Sequence, residues 1–307
     1  MRIAVVGSYG TGMTMRADRM PQRGETLGDA TFSLGPGGKG SNQAVAAARL
    51  GAEVSLLTAL GPDALAEQGR ELWRREGVDA SAVITVDAAT MAGVILVEEN
   101  AENRIIIAPG ALDLLTPTHV DGFGGDIAAA DLMMVCNEIP RDVVTAALRT
   151  AAAHGTPTLF NPAPARDVPQ EVAELVGVLT PNLTEAQVLT GLHGVTDPHA
   201  LLDALRRRFT ATLVLTCGTD GAHVDDGTER HHVPPVPAPR VVDTTGAGDA
   251  FNAALAVARC RGWGPHRATR YAAAAGAFSV AHHEVIPGLA RPDDLAALLP
   301  SPTTDEG

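Results

Sequence analysis

Hydrophobic and polar positions alternate in two different rhythms along this 307-residue chain. Short apolar runs at Ile3–Val6, 53–60 (EVSLLTAL), 132–136 (LMMVC), 158–160 (TLF), 178–180 (VLT) and 212–217 (TLVLTC) read as buried strands. Between them, amphipathic or alanine-rich stretches at 40–50, 63–76, 140–153, 184–190, 198–208, 248–261 and 265–280 read as helices. Strand and helix in alternation predict an α/β fold, a mainly parallel sheet covered by helices on both faces. Two regions break that rhythm. Residues 13–35 read as strand and turn, and 91–111 as a hairpin whose arms GVILVEE and RIIIA flank a polar loop with Asn100 and Asn103. Segments 9–35 and 90–111 are therefore expected to form a small β-sheet lid within a single domain spanning 1–307. A lid implies an enclosed substrate. The final SPTTDEG reads as a frayed tail.

Three glycines, Gly7, Gly10 and Gly12, follow the first strand. In a dinucleotide fold a helix would start inside such a cluster. Here Met13 to Met20 alternates with period two and Pro21 ends it, so the cluster opens a strand and the dinucleotide reading fails. The composition is that of a globular protein, 45% hydrophobic and 19% charged, but aromatics are only 3%, which leaves packing to Ala, Val and Leu. A formal charge of −13 argues against a nucleic-acid backbone as partner. It does not exclude a phosphorylated small molecule, because a local nest of amides overrides the global field. The three cysteines, Cys136, Cys217 and Cys260, are far apart and read as small hydrophobes of a reducing compartment. With no signal peptide and no apolar run of about 18 residues, no membrane association is expected and a cytoplasmic location is.

The stretch most informative about chemistry is VVDTTGAGDAFNAALAVARCRG, residues 241–262. Gly246, Ala247 and Gly248 offer small side chains and exposed amides where a long helix begins, an arrangement that holds a phosphoryl group. Asp249 stands at its mouth, expected to be kept ionised by amides and helix dipole and so to accept a proton. The same residues alone could be a glycine-rich turn with Asp249 as helix cap. No GxxxxGK[ST] P-loop occurs.

DTTGAGDAFNAAL resembles the carboxy-terminal signature of the ribokinase-like (PfkB) sugar kinase family. GPGGKGSNQAVAAARLGAEVSLLTALGPD, residues 35–63, resembles its amino-terminal signature, and NPAPAR (161–166) and TPNLTEA (180–186) match ribokinases as well. The resemblance runs from residue 3 to about 299. It implies an ATP-dependent kinase that phosphorylates a hydroxymethyl group of a small sugar or polyol. By resemblance Asp249 is the general base, and Gly246, Ala247 and Gly248 are the anion hole. Gly37, Gly38, Lys39, Asn42 and Glu138 fall at acceptor positions. Asn182 and Glu185 match an N-x-x-E pair that positions Mg²⁺ and phosphate, although their spacing also makes a capping box. Thr216 and Gly218 fall at nucleotide positions, and Asp243 and Thr245 at those of a monovalent cation such as K⁺. A homodimer through the lid strands is also implied.

Two departures stand out. The family reads G-S-x-N-x-D after the first strand, with Asn and Asp on sugar hydroxyls; here Gly10 and Gly12 occupy those positions, with Tyr9 and Thr11 beside the gap. The acceptor is thereby left open. At 279–288, SVAHHEVIPG replaces a basic, glycine-containing loop, so K⁺ dependence is in doubt and His282, His283 and Glu284 have no assigned role. A nucleoside kinase on the same scaffold, its pocket widened at Gly10 and Gly12, is the alternative enzyme. A non-catalytic ligand-binding relative is the alternative class, disfavoured by the intact Gly-Ala-Gly-Asp.

Overall fold

The structure, a computed structural model, describes residues 1–98 and 103–299. Asn100 and the 301–307 tail lie outside the described residues. In chain order the strands are β1 (Arg2–Val6), β2 (Gly10–Ala17), β3 (Thr31–Gly37), β4 (Glu53–Leu57), β5 (Ala59–Leu60), β6 (Val78–Asp79), β7 (Ile84–Thr85), β8 (Met91–Glu98), β9 (Asn103–Ala108), β10 (Leu132–Cys136), β11 (Thr158–Asn161), β12 (Val178–Leu179), β13 (Thr212–Thr216), β14 (Ala222–Asp225) and β15 (Arg230–Val233).

Nine of these form one sheet in the order β15-β14-β13-β12-β11-β10-β1-β4-β6. It is parallel from β6 through β13, and β14 and β15 extend it as antiparallel strands. The central strands β1 and β10 are apolar on both faces and buried along nearly their whole length, as parallel strands covered by helices must be. One apolar core lies against the helices Lys39–Arg49, Ala247–Cys260 and Pro265–Ser279; a second, on the opposite face, involves Arg141–His154, Leu183–Thr190 and Pro198–Arg206. Each of these helices starts and ends within about two residues of its sequence expectation.

The stretch 53–60 is corrected from one strand to two. After Leu57 the chain leaves the main sheet, and the Thr58 and Leu60 carbonyls accept from the Ile84 and Val86 amides at 3.1 and 2.9 Å. β5 and β7 thus make their own two-stranded pair. The apolar run continues because both pieces are buried, so periodicity alone could not reveal the break.

β3-β2-β8-β9 form a separate four-stranded sheet from the two segments that broke the α/β rhythm. β2 pairs parallel with β8 and antiparallel with β3, and β8 pairs antiparallel with β9. Asn103 begins β9 rather than lying in the loop. No helix among the described residues is long and apolar enough to cross a membrane. All three cysteines are free; Cys136 and Cys217 are buried at strand ends, and burial pushes both thiols up to about 11.

Candidate active site

The carboxyl ends of the parallel strands, where α/β sheets hold ligands, carry most of the residues singled out in the sequence. Gly38 links β3 to the helix Lys39–Arg49 with φ 88°, and a Cβ there would stand 2.7 Å from the Tyr9 Cα. Only glycine meets both demands, and the tight approach sets the helix start against the end of β1.

Asp249 lies in the first turn of Ala247–Cys260, a helix with ten of its fourteen residues buried. A helix buried nearly all round carries its polar first turn into the interior. The Asp249 carboxylate is gripped from the neighbouring helix: Asn42 Nδ2 donates to Oδ2 at 2.8 Å and Gln43 Nε2 to Oδ1 at 3.1 Å. Gln43 Nε2 also donates to Asn161 Oδ1 at 3.1 Å. This revises the expectation of a carboxylate kept ionised by its helix terminus. Burial pushes the Asp249 carboxyl above the ordinary aspartate value; the Lys39 charge and the two side-chain amides pull it back only in part. The result is a proton acceptor of increased basicity.

Lys39 and Glu138 form a second unit. Lys39 Nζ stands 3.1 Å from Glu138 Oε1, its backbone amide donates to Glu138 Oε2 at 2.9 Å, and Ser8 Oγ donates to the same oxygen at 2.6 Å. Burial lowers the affinity of Lys39 for its proton, but the charges of Glu138 and Asp249 outweigh it and hold the ammonium above its ordinary range. Lys39 is therefore a fixed positive charge facing Asp249.

Gly246 caps that helix in the left-handed region at φ 82°. A Cβ on it would be 2.6 Å from Val285 Cγ1, so the 279–288 loop packs directly on the turn. The space a Cβ of Gly248 would take is open. Among the described residues the amides of Gly248 and Asp249 have no backbone acceptor, two of the donors every helix start leaves over.

On the far side, Asn182 and Glu185 make the capping box that their spacing allowed. The Glu185 amide donates to Asn182 Oδ1 at 2.8 Å and the Asn182 amide to Glu185 Oε2 at 2.9 Å. Asn182 also bridges to Thr216 at the end of β13, and the turn Gly218–Asp220 follows. Burial raises the Glu185 carboxyl, and it lies close enough to feel Lys39 and Asp249. Asp243 Oδ1 accepts from the Thr245 amide at 2.9 Å, which makes a local turn of that pair. His282 Nδ1 faces the Phe278 carbonyl at 2.9 Å, and His283 is exposed. Among the described residues no cluster of three or more His, Cys, Asp or Glu is arranged to hold a metal.

Tyr9 and Thr11 do not stand beside the gap at Gly10 and Gly12. Tyr9 is fully buried, its hydroxyl donates to the Leu65 carbonyl at 3.0 Å and its ring meets Trp73 edge-on at 5.0 Å; Thr11 is buried too. The sequence reading also missed Gln43, Asn161 and Ser8. The signal available was a Ser-Asn-Gln run opening an otherwise apolar, alanine-rich helix.

Comparison with known proteins decides the family. The description "pfkB family carbohydrate kinase" matches residues 2–291. The chain belongs to the pfkB family. It is a carbohydrate kinase, a phosphotransferase with an alcohol group as acceptor. It is similar to the ribokinase of Bacillus subtilis, 34% identical over 299 residues that cover 97% of this chain and 99% of the relative. The ribokinase of Lactococcus lactis is 35% identical, covering 83% and 82%. The chain spans about half, 48%, of a bifunctional ribokinase/ribose-5-phosphate isomerase A of Fructilactobacillus sanfranciscensis, at 36% identity. Among solved structures, Arabidopsis thaliana ribokinase complexed with ribose and ATP superposes with a TM-score of 0.90 at 28% identity, covering 97% and 98% of the two chains.

Proposed function

We propose that this pfkB kinase transfers the γ-phosphoryl group of ATP to a hydroxymethyl group of a small sugar or polyol. The observation that carries the reading is Asp249, a buried carboxylate gripped by two side-chain amides beside the Gly246–Gly248 turn. Asp249 takes the proton from the acceptor hydroxyl. The free amides of Gly248 and Asp249 receive the charge on the moving phosphoryl oxygens, and Lys39 adds a fixed positive charge. Asn182, Glu185, Thr216 and Gly218 border the nucleotide. Gly10, Gly12, Gly37, Gly38, Lys39, Asn42 and Glu138 border the acceptor, and the β3-β2-β8-β9 sheet acts as the lid of a single-domain enzyme.

The donor chemistry fits hydrated Mg²⁺, since Glu185 keeps Oε1 free of the capping box. Glu185 would hold the ion through water, and the ion would supply positive charge against the phosphates. For K⁺ the resemblance offers Asp243 and Thr245, but Asp243 Oδ1 is turned onto the Thr245 amide at 2.9 Å and the 279–288 sequence departs from the family's loop. Asp243 and Thr245 are accordingly assigned no step. The outward lid face carries exposed Met15, Phe32, Leu34, Val94 and Ile106, in register from strand to strand, which supports a homodimer through the lid. Three free cysteines and the need for ATP suit the cytoplasm.

A nucleoside acceptor is the second reading, favoured by the absence of a side chain at both Gly10 and Gly12. ADP release from Mg²⁺-ATP over pentoses, hexoses, polyols and nucleosides tests both. Turnover with one acceptor class that vanishes in Asp249→Asn is expected. Acceptor-independent ATP hydrolysis unaffected by that change would refute the kinase mechanism.

A further inference from the structure

Strand register aligns Gly35, Gly12 and Gly93 side by side across three strands, with Gly37 paired to Gly10 one step nearer the helix Lys39–Arg49. Paired residues share a face, so this face of the lid offers a ligand no side-chain hydrogen bond at those positions. One charged group reaches it from elsewhere. Glu284 Oε2 lies 3.8 Å from where a Cβ of Gly35 would be. Its carboxylate has no hydrogen bond and no ion pair among the described residues.

The 284 loop is pinned on both sides of this contact. Val285 packs on Gly246 at the phosphoryl turn, and Arg49 Nη1 donates to the carbonyls of Ile286 and Leu289 at 2.6 and 2.8 Å. Glu284 itself has φ 64°, the one non-glycine with positive φ among the described residues, so glutamate stands where glycine would be unstrained. Asn42, independently, is 5% exposed; its Nδ2 is committed to Asp249 while its Oδ1 has no partner. A buried carbonyl oxygen without a donor beside the catalytic carboxylate calls for a hydroxyl from the ligand.

We infer that Glu284 is a specificity-determining residue of the acceptor pocket and that the acceptor is a neutral polyhydroxyl compound, held through its own hydroxyl donors. The inference rests on the kinase reading and names its substrate class. The Glu284 carboxylate and Asn42 Oδ1 accept and have no partner among the described residues, and Asp249 accepts beside them. Lys39 is engaged by Glu138 and Arg240 by the Ala281 carbonyl. A carboxylate reaching across bare backbone can hold adjacent hydroxyls with both oxygens, while sugar acids and sugar phosphates meet repulsion from Glu284 and Asp249.

The test compares wild type, Glu284→Gln and Glu284→Gly on neutral pentoses, hexoses and pentitols, and on the matching sugar acids and phosphates. Loss of a charge-assisted hydrogen bond is expected to raise the KM of the preferred neutral acceptor about tenfold or more, with kcat and the ATP KM within about twofold. Discrimination against the sugar acid should narrow in both variants. Glu284→Gly should also raise Tm by about 2 °C through relief of the positive φ; a merely structural glutamate would not separate a more stable protein from weaker acceptor binding. Unchanged acceptor KM in both variants overturns the role of Glu284 and leaves the kinase standing. If wild type turns over nothing, the kinase reading falls, and the acceptor-induced Tm shift decides Glu284 alone: a shift with a neutral polyol that is lost in Glu284→Gln supports it, and no shift with any neutral polyol overturns it.

Discussion

The two sides of the site are built by opposite rules. On the phosphoryl side, one motif turns from loop to buried helix at Gly246 and delivers Asp249 into the interior. Two amides of the facing helix hold its carboxylate, and Val285 closes over the turn. Both carboxylate oxygens of Asp249 have a partner there. On the acceptor side, the lid has glycine and no polar side chain at Gly10, Gly12, Gly35 and Gly93, and the carboxylate of Glu284 reaches it from a loop in an uncommon conformation. The contrast follows from chemistry. Phosphoryl transfer makes the same demands whatever the acceptor, whereas the acceptor face must change whenever the substrate does.

The comparison breaks first at Asp249. Asp249→Asn should lower acceptor-dependent ADP release about 10²-fold or more. The same change should raise thermal stability at neutral pH. Because the folded carboxyl titrates above its unfolded value, the native state binds more protons, and stability declines as pH rises through the interval between the two. Removing the charge removes that loss. A less active and less stable variant would contradict the burial-raised carboxyl.

Gly246→Ala comes next. It forces a side chain into the left-handed region and against Val285, with a cost of about 1–3 kcal/mol in stability and a fall in kcat larger than any rise in acceptor KM. Thermal melting and steady-state kinetics report the two parts. A neutral effect would mean that the turn is looser than its φ of 82° requires.

Gln43→Ala sharpens the comparison further. Losing one hydrogen bond to the ionised Asp249 should raise its pKa again, so the acid limb of the kcat profile moves to higher pH and kcat at neutral pH falls about tenfold. A pH–rate profile superposable on wild type would remove Gln43 from the positioning of the base.

The smallest effects belong to the lid exterior and the cation loop. Ile106→Asp should shift the protein toward monomer in analytical ultracentrifugation while altering kcat about twofold or less. Replacing K⁺ by a large organic cation should leave the rate within about twofold, because Asp243 is already turned onto the Thr245 amide. A strong K⁺ requirement would show that Asp243 leaves that turn to take up the ion.

Read residue by residue, the helices and the main strands were legible because each carries its own period and its own stops: Asp63 caps Ala64–Glu76, and Gly155 and Gly191 end Arg141–His154 and Leu183–Thr190 in the left-handed region. The position of Asp249 at a helix start was legible for the same reason. The break at Thr58 was not, since both pieces of 53–60 are equally apolar. Nor was the direction of Tyr9, which depends on the room that Gly69 leaves for its ring.

By itself, then, the chain determined the alternation of elements, the glycine turn ahead of Asp249 and the loss of polar side chains at Gly10 and Gly12. All of these are local, set by propensity and by the side chains at those positions. Only the tertiary structure decided what answers them: Gln43 on Asp249 across 206 residues of sequence, Glu138 on Lys39 across 99, and Glu284 over the strand paired with Gly12. Those pairings arise because packing the sheet between its two helical layers brings distant polar groups to the same strand ends, and no pattern of neighbouring residues encodes that meeting.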